Sequence, residues 1–291
     1  MKPAILKADD WEDYALLDCG DQMKLERFGP WSFARPEPQA LWAPSTPVER
    51  WRADATFSGR DGEEMGRWSF NRTVPPSWPI RWGETRLLAR CTPFRHMGLF
   101  PEQSVHWRWA RTILNKTRIK EPEVLNLFGY TGAASLVCAQ AGAKVTHVDA
   151  SKKAIGFARE SQGHAGLADA PIRWICDDAL AFVEREVRRG RRYHGIILDP
   201  PKHGRGPDGQ LWTLETGLKP LLAACTALLA DDALFLAATV YAVRLSFLAL
   251  ERSLTEALGE RGGAVEAGEM ALVEQGTERL LPTAIFARWR A

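Results

Sequence analysis

Val124-Leu125-Asn126-Leu127-Phe128-Gly129-Tyr130-Thr131-Gly132-Ala133-Ala134-Ser135 is the stretch that decides the fold: an apolar run enters a glycine turn and leaves it as a segment of small residues. Apolar runs bounded by glycine suit buried strands, and small residues suit a helix packed closely on a sheet. Glycine has no Cβ and reaches left-handed backbone angles, so such a turn lets a ligand approach the main chain. The same turn also serves as an ordinary tight strand-to-helix connection. Asp149 stands twenty positions after Gly129, at the end of the next apolar run. A carboxylate there can accept hydrogen bonds from both hydroxyls of a ribose. Asp178 follows the third run and Asp199 ends the fourth, so one parallel sheet would carry all three acids at its carboxyl edge. Asp178 is equally well placed to cap the helix after it.

Outward from this stretch, apolar runs alternate with helix-length segments, the pattern of a mostly parallel sheet covered on both faces. Strands are predicted at 124–128, 144–149, 172–176, 194–199 and 233–239, and helices near 133–141, 152–162, 179–189, 211–229 and 245–258. Two closing runs, 265–273 and 283–289, predict an antiparallel hairpin at one edge, giving a Rossmann-like α/β sheet of seven strands. The first third differs: nine of the twelve tryptophans precede residue 110, among frequent prolines. Short runs such as Tyr14-Ala15-Leu16-Leu17, Ala55-Thr56-Phe57, Arg67-Trp68-Ser69-Phe70 and Arg86-Leu87-Leu88-Ala89 predict a small β-rich domain. The expected boundaries are 1–90 for that domain and 91–291 for the α/β domain.

With 45% hydrophobic and 25% charged residues, the 291-residue chain has no biased tract that would leave it unfolded. Met1-Lys2-Pro3-Ala4 leads quickly to Asp9 and Asp10, unlike a secretory signal, so a cytoplasmic location is expected. The apolar stretch 221–243 is broken by Asp231-Asp232, and no membrane span is expected. Cys19, Cys91, Cys138, Cys176 and Cys225 contain no Cys-x-x-Cys pair, so neither a disulfide framework nor a metal site is expected. A net charge of +2 names no partner, but residues 86–120 hold eight basic residues against one acid, Glu102. Trp107 and Trp109 lie in that segment; aromatics interleaved with cations can stack on bases, but tryptophans at that spacing more often anchor a domain boundary. A second basic run, with Arg188, Arg189, Arg191 and Arg192, reads as a solvated face.

A second motif is Ile196-Ile197-Leu198-Asp199-Pro200-Pro201-Lys202. Two prolines remove two backbone donors and fix two φ angles, so the Asp199 carboxylate and its neighbouring carbonyls are held in place after the strand. With these motifs in order, the chain from Met97 onward resembles the class I S-adenosylmethionine-dependent ribosomal-RNA methyltransferases, close to those that modify the large subunit. The resemblance implies a methyltransferase fold and S-adenosyl-L-methionine as cofactor. In it, Asn126, Phe128, Gly129, Tyr130, Thr131 and Gly132 belong to the first cofactor motif, and Asp149, Ala150 and Ser151 to the ribose-binding turn. Asp177, Asp178 and Ala179 match the adenine-contacting segment, and Phe100 and Gln103 stand in a segment that closes over the cofactor. Asp199, Pro200, Pro201 and Lys202 match the catalytic loop, with Asp199 also near the cofactor.

One departure concerns the acceptor. The family's 5-methylcytosine enzymes use a cysteine after the fifth strand, as a thiolate that adds to C6. Here that place reads Ala238-Thr239-Val240-Tyr241-Ala242, and Cys225 sits on an apolar helix. A nitrogen or oxygen acceptor needs no such adduct, because its lone pair attacks the methyl directly once positioned. The expected activity is methyl transfer to RNA, ribosomal RNA first, with the accepting atom open. The competing readings are an RNA-binding protein with a non-catalytic methyltransferase fold and an NAD(P)-dependent oxidoreductase, whose Gly-x-Gly-x-x-Gly is absent.

Overall fold

A computed structural model describes residues 2–59, 66–241 and 244–291. Two compact units make up the chain: one is Met1–Leu6, His106–Met270 and Ala284–Ala291, the other Lys7–Val105 and Ala271–Thr283.

The β-rich unit holds a sheet of β2 (Tyr14–Gly20), β3 (Met23–Phe28), β4 (Trp31–Pro36), β5 (Ala55–Gly59) and β6 (Gly66–Phe70), after β1 (Ala4–Ala8). A separate pair, β7 (Trp78–Trp82) and β8 (Thr85–Ala89), follows. Its core explains the concentration of aromatic residues. The rings of Phe33 and Trp78 stack at 5.4 Å, and Tyr14 meets Phe28 edge-on at 4.9 Å. Residues 91–105 belong here because their backbone is tied back: the Trp68 indole donates to the Thr92 carbonyl at 2.7 Å, and the Trp11 indole to that of Pro101 at 3.0 Å. The division thus falls near residue 105 rather than at 90, and residues 271–283 return to this unit.

The α/β unit continues with α1 (Ser104–Leu114), β9 (Glu123–Leu127), α2 (Ala133–Gln140), β10 (Lys144–Asp149), α3 (Lys152–His164), β11 (Ile172–Cys176) and α4 (Ala179–Arg188). Next come β12 (Gly195–Leu198), β13 (His203–Arg205), β14 (Leu211–Thr213), α5 (Leu214–Ala227), β15 (Phe235–Tyr241), α6 (Phe247–Leu258), β16 (Ala264–Val273) and β17 (Leu280–Arg290). The sheet order is β1-β16-β17-β15-β12-β9-β10-β11. Strands β9, β10, β11, β12 and β15 run parallel, and β17 runs antiparallel to β15.

Period-two alternation sorts the strand residues onto two faces. Leu125, Leu127, Ile196, Leu198, Leu236 and Ala238 pack with Phe182, Leu221 and Leu254 from α4, α5 and α6. Val124, Val145, Ile197 and Phe235 pack with Ala110 and Ile113 of α1 and Cys138 of α2. Each fully buried aliphatic side chain contributes about 1.5–3 kcal/mol. From β9 the chain winds outward to β10 and β11, then returns to β12 and proceeds to β15. The direction therefore reverses between β9 and β12, and ligands of open α/β sheets bind at the carboxyl ends of such strands.

Three elements differ from the sequence expectation. The sheet has eight strands, not seven, since β1 adds to the edge beside β16. Only Ala8 of β1 is buried and Ile5 is 60% exposed, so backbone pairing rather than an apolar pattern makes it a strand. Helix α1 occupies part of the supposed basic connector. Residues 211–213, expected to begin a helix, instead pair with 203–205 as a β-hairpin.

Candidate active site

The turn after β9 is strained in a way its sequence half announces. Phe128 and Tyr130 take φ of 55° and 49°, and Gly132 takes 85°. Left-handed angles at non-glycine residues cost about 1–3 kcal/mol each and persist where surroundings enforce them. Here the enforcement is a set of hydrogen bonds: Gly129 N–H donates to the Val148 carbonyl at 3.1 Å, and Gly132 N–H to that of Gly129 at 2.9 Å. Tyr130 N–H donates to Asp149 Oδ2 at 2.8 Å. Gly129 cannot carry a side chain, since a Cβ there would lie 2.4 Å from the His147 ring.

Asp149 ends β10 and also accepts the Ser151 N–H on Oδ1 at 2.8 Å. Each carboxylate oxygen keeps a second lone pair for a further donor. Burial raises the Asp149 pKa, while the N–H groups of Ser151 and Tyr130 work against that rise. Beneath the turn, Asn126 is buried and its amide donates to Ser135 Oγ at 2.9 Å, which in turn meets His147 Nδ1 at 2.9 Å. Burial holds His147 neutral, with its pKa pushed down to about 3. Asn126 thus supports the turn from below, as its alternation with Leu125 and Leu127 requires.

After β11, Asp177 pairs with Arg185 and accepts the Asp178 N–H at 2.9 Å. Asp178 caps α4 by accepting the Ala181 N–H at 2.9 Å, and Ala179 is buried in the core. Ser151 caps α3 in the same way, through Ala154 N–H at 3.2 Å. Ala150 lies half-buried between Asp149 and this cap, and Thr131 is buried within the glycine turn.

After β12, Asp199 is half-buried, Pro200 buried, and Pro201 and Lys202 exposed. The β13–β14 hairpin, which sequence reading missed, holds this loop: Trp212 donates from its indole to the Pro201 carbonyl at 2.7 Å. Its ring lies 5.2 Å from that of Phe128, so the Asp-Pro-Pro loop and the glycine turn meet through one tryptophan. The turn residues Pro207-Asp208-Gly209, with Gly209 at φ 87°, were the available signal.

The structure thus brings Phe128–Gly132 residues, Asp149, Ala150, Ser151, Asp177, Asp178, Ala179 and Asp199 through Lys202 to the carboxyl ends of four neighbouring strands. Phe100 and Gln103 stand in the β-rich unit, on a 3₁₀ turn where Gln103 N–H donates to the Phe100 carbonyl at 3.0 Å. Trp107 is 4% exposed, and Trp109 packs against Phe235 at 5.5 Å with the Arg288 guanidinium over its ring. Trp107 is thus a core residue, and Trp109 is half-buried against the core. Cys225 is fully buried, with its thiol pushed up to about 12 by burial. Position 242, in the stretch where a motif cysteine would stand, lies outside the described residues.

No protein-family model matches the chain. A crystal structure of an S-adenosylmethionine-dependent methyltransferase from Agrobacterium tumefaciens is 46% identical, with a TM-score of 0.95, covering 100% of this chain and 94% of that one. A Streptococcus mutans protein, 15% identical with a TM-score of 0.72, shares the fold over 96% of this chain and 76% of its own. Ribosomal RNA large subunit methyltransferase I of Klebsiella pneumoniae is 26% identical over 153 residues, which are 52% of this chain and 37% of that protein. The chain thus matches little more than a third of the length of that curated relative.

Proposed function

Since the chain belongs to the S-adenosylmethionine-dependent methyltransferases, we propose that it methylates RNA, ribosomal RNA in the first place, in the cytoplasm. The observation that carries the cofactor half is Asp149, fixed by two backbone N–H groups beside the glycine turn with lone pairs left to accept ribose hydroxyls. Those acceptor oxygens fit the hydroxyls of a nucleoside. When bound, the cofactor supplies a methyl group made electrophilic by its sulfonium sulfur.

The residues of the chain then divide the work. Asp149 would hold the ribose, and the strained 128–132 backbone would border the cofactor. Asp177 and Ala179 would border the adenine. Asp199 would accept a hydrogen bond from an acceptor amino or hydroxyl group, hold that group in one orientation and take the proton it gives up. Pro200 and Pro201 keep that carboxylate in position, and Lys202 offsets the charge of the incoming substrate. With no cysteine in the sequence at positions 238–242 and Cys225 inside the core, a nitrogen or oxygen acceptor fits better than a carbon that needs a covalent adduct. The β-rich unit serves RNA recognition in this reading.

The test is transfer of labelled methyl from S-adenosylmethionine to ribosomal RNA taken from cells lacking the protein, followed by mass spectrometry of the nucleosides. The expected result is one new methylated nucleoside. Label that enters small molecules or protein but never RNA would overturn the substrate assignment.

A further inference from the structure

Beside the Asp199–Lys202 loop, on the side away from the glycine turn in strand order, the α/β unit contains a cavity of about 450 Å³. This lies within the roughly 300–1,000 Å³ range of ligand sites. Its wall is formed by the start of α5, with Leu214, Leu218 and Lys219, and by the approach to α6, with Arg244, Leu245 and Ala249; Lys202 joins from the loop. No part of the cofactor rim described above, apart from Lys202, lines it.

Its charge is the informative feature. Several exposed cations of this unit are neutralised locally, among them Arg189 with Glu186 at 3.1 Å, Arg191 with Glu123 at 2.8 Å, Lys144 with Glu121 at 2.8 Å and Arg252 with Glu256 at 2.9 Å. Lys202, Lys219 and Arg244 enter no ion pair among the described residues. Even Glu215, one turn before Lys219 in the favourable order for a helical pair, is not bonded to it. Three cations lining one concave surface beside a single carboxylate make its potential positive, and concavity concentrates the field. The leucine side chains beside them offer an apolar face of the kind that accompanies a ribose or base, while guanidinium and ammonium groups match phosphate oxygens.

We infer that this cavity is a phosphate-ester subsite, in which Lys219 and Arg244, with Lys202, hold a phosphate of the molecule that presents its acceptor atom to Asp199. The inference rests on the methyltransferase reading of the 199–202 loop. A phosphate contact of this kind fixes register and orientation without reading sequence. It predicts that binding weakens with added salt, and that part of this dependence disappears when the cavity cations are reversed.

The experiment compares the full-length protein with Lys219→Glu and Lys219→Glu/Arg244→Glu variants, using a fluorescent mixed-sequence 12-nucleotide RNA and, separately, uridine 5′-monophosphate. Arg159→Glu on α3, which does not line the cavity, is the control for general surface charge. Affinity for S-adenosylmethionine and thermal midpoint establish that each variant is folded and retains its cofactor site. The expected result is that the double variant binds the 12-mer at least tenfold more weakly with a shallower salt slope, while Arg159→Glu changes affinity less than twofold. Lys219→Arg should restore most of the loss seen in Lys219→Glu. If the wild type binds the monophosphate but not the 12-mer, and the double variant loses it, the subsite stands and the RNA reading falls. If the variants bind both probes as the wild type does, or the wild type binds neither, the subsite is refuted.

Discussion

On the β9–β10 side of the rim, backbone and side chain hold one another: Asp149 accepts from Tyr130 and Ser151, and the strained 128–132 turn is tied to Val148 and supported by Asn126, Ser135 and His147. On the β12 side, Pro201 and Lys202 are exposed, and the ties of the loop include the Trp212 indole bond to Pro201, the Leu214 N–H bond to the Lys202 carbonyl at 2.9 Å and a short hairpin. A ligand that is the same in every turnover favours a preformed site, whereas an acceptor that must enter and leave suits a loop with fewer ties. In the proposed reading the cofactor half is fixed by a network that tolerates little change, and the acceptor half by a more exposed loop whose alteration separates turnover from binding.

Asp199→Ala breaks this contrast most sharply, since it removes the proposed proton acceptor. Turnover should fall by about 10²–10⁴-fold with cofactor affinity unchanged, as single-turnover kinetics and calorimetry would show. A parallel loss of cofactor affinity would place Asp199 in the other half. Asp149→Ala should weaken S-adenosylmethionine by about 1.5–3 kcal/mol, roughly tenfold or more, through loss of charge-assisted hydrogen bonds. Trp212→Phe keeps most of the ring but deletes the bond to Pro201; stability should drop by about 0.5–1.5 kcal/mol in denaturant titration, and turnover should fall more than cofactor affinity.

The smallest effect is on pH dependence. Burial raises the Asp149 pKa above the ordinary value of about 3.9, and the ionised form is the one that accepts ribose hydroxyls. Cofactor affinity should thus be lost as pH falls through that raised value, and Asp149→Asn should lack this step. Stability of the cofactor-free protein moves the other way. The fold favours the neutral acid, so that contribution is present below the unfolded-state pKa and fades as pH rises through the folded one.

Strands β10 and β11 have the ends expected from sequence because apolar runs and capping residues coincide there: Asp149 closes one run, and Ser151 caps the helix that follows. Helix α1 was illegible because its buried face, Val105, Trp107, Ala110, Ile113 and Leu114, is interleaved with Arg108 and Arg111, and composition suggested a basic connector. The eight basic residues of that segment are divided between the two units. The β13–β14 hairpin has three-residue strands with largely exposed side chains, too short for a period to register, although its Pro-Asp-Gly turn was visible. Asn126 was expected at the cofactor. Strand alternation puts its side chain on the α2 face with Ser135, beneath the turn, a position that period-two counting gives and motif matching does not.

The central claim is that the glycine turn and Asp149 form a nucleoside site for a methyl donor. Calorimetric titration of the wild-type protein with S-adenosylmethionine and, separately, with NAD tests it most directly. Saturable one-to-one binding of S-adenosylmethionine, lost or weakened at least tenfold in Asp149→Ala, is the expected result; binding of NAD with no response to S-adenosylmethionine would contradict the account.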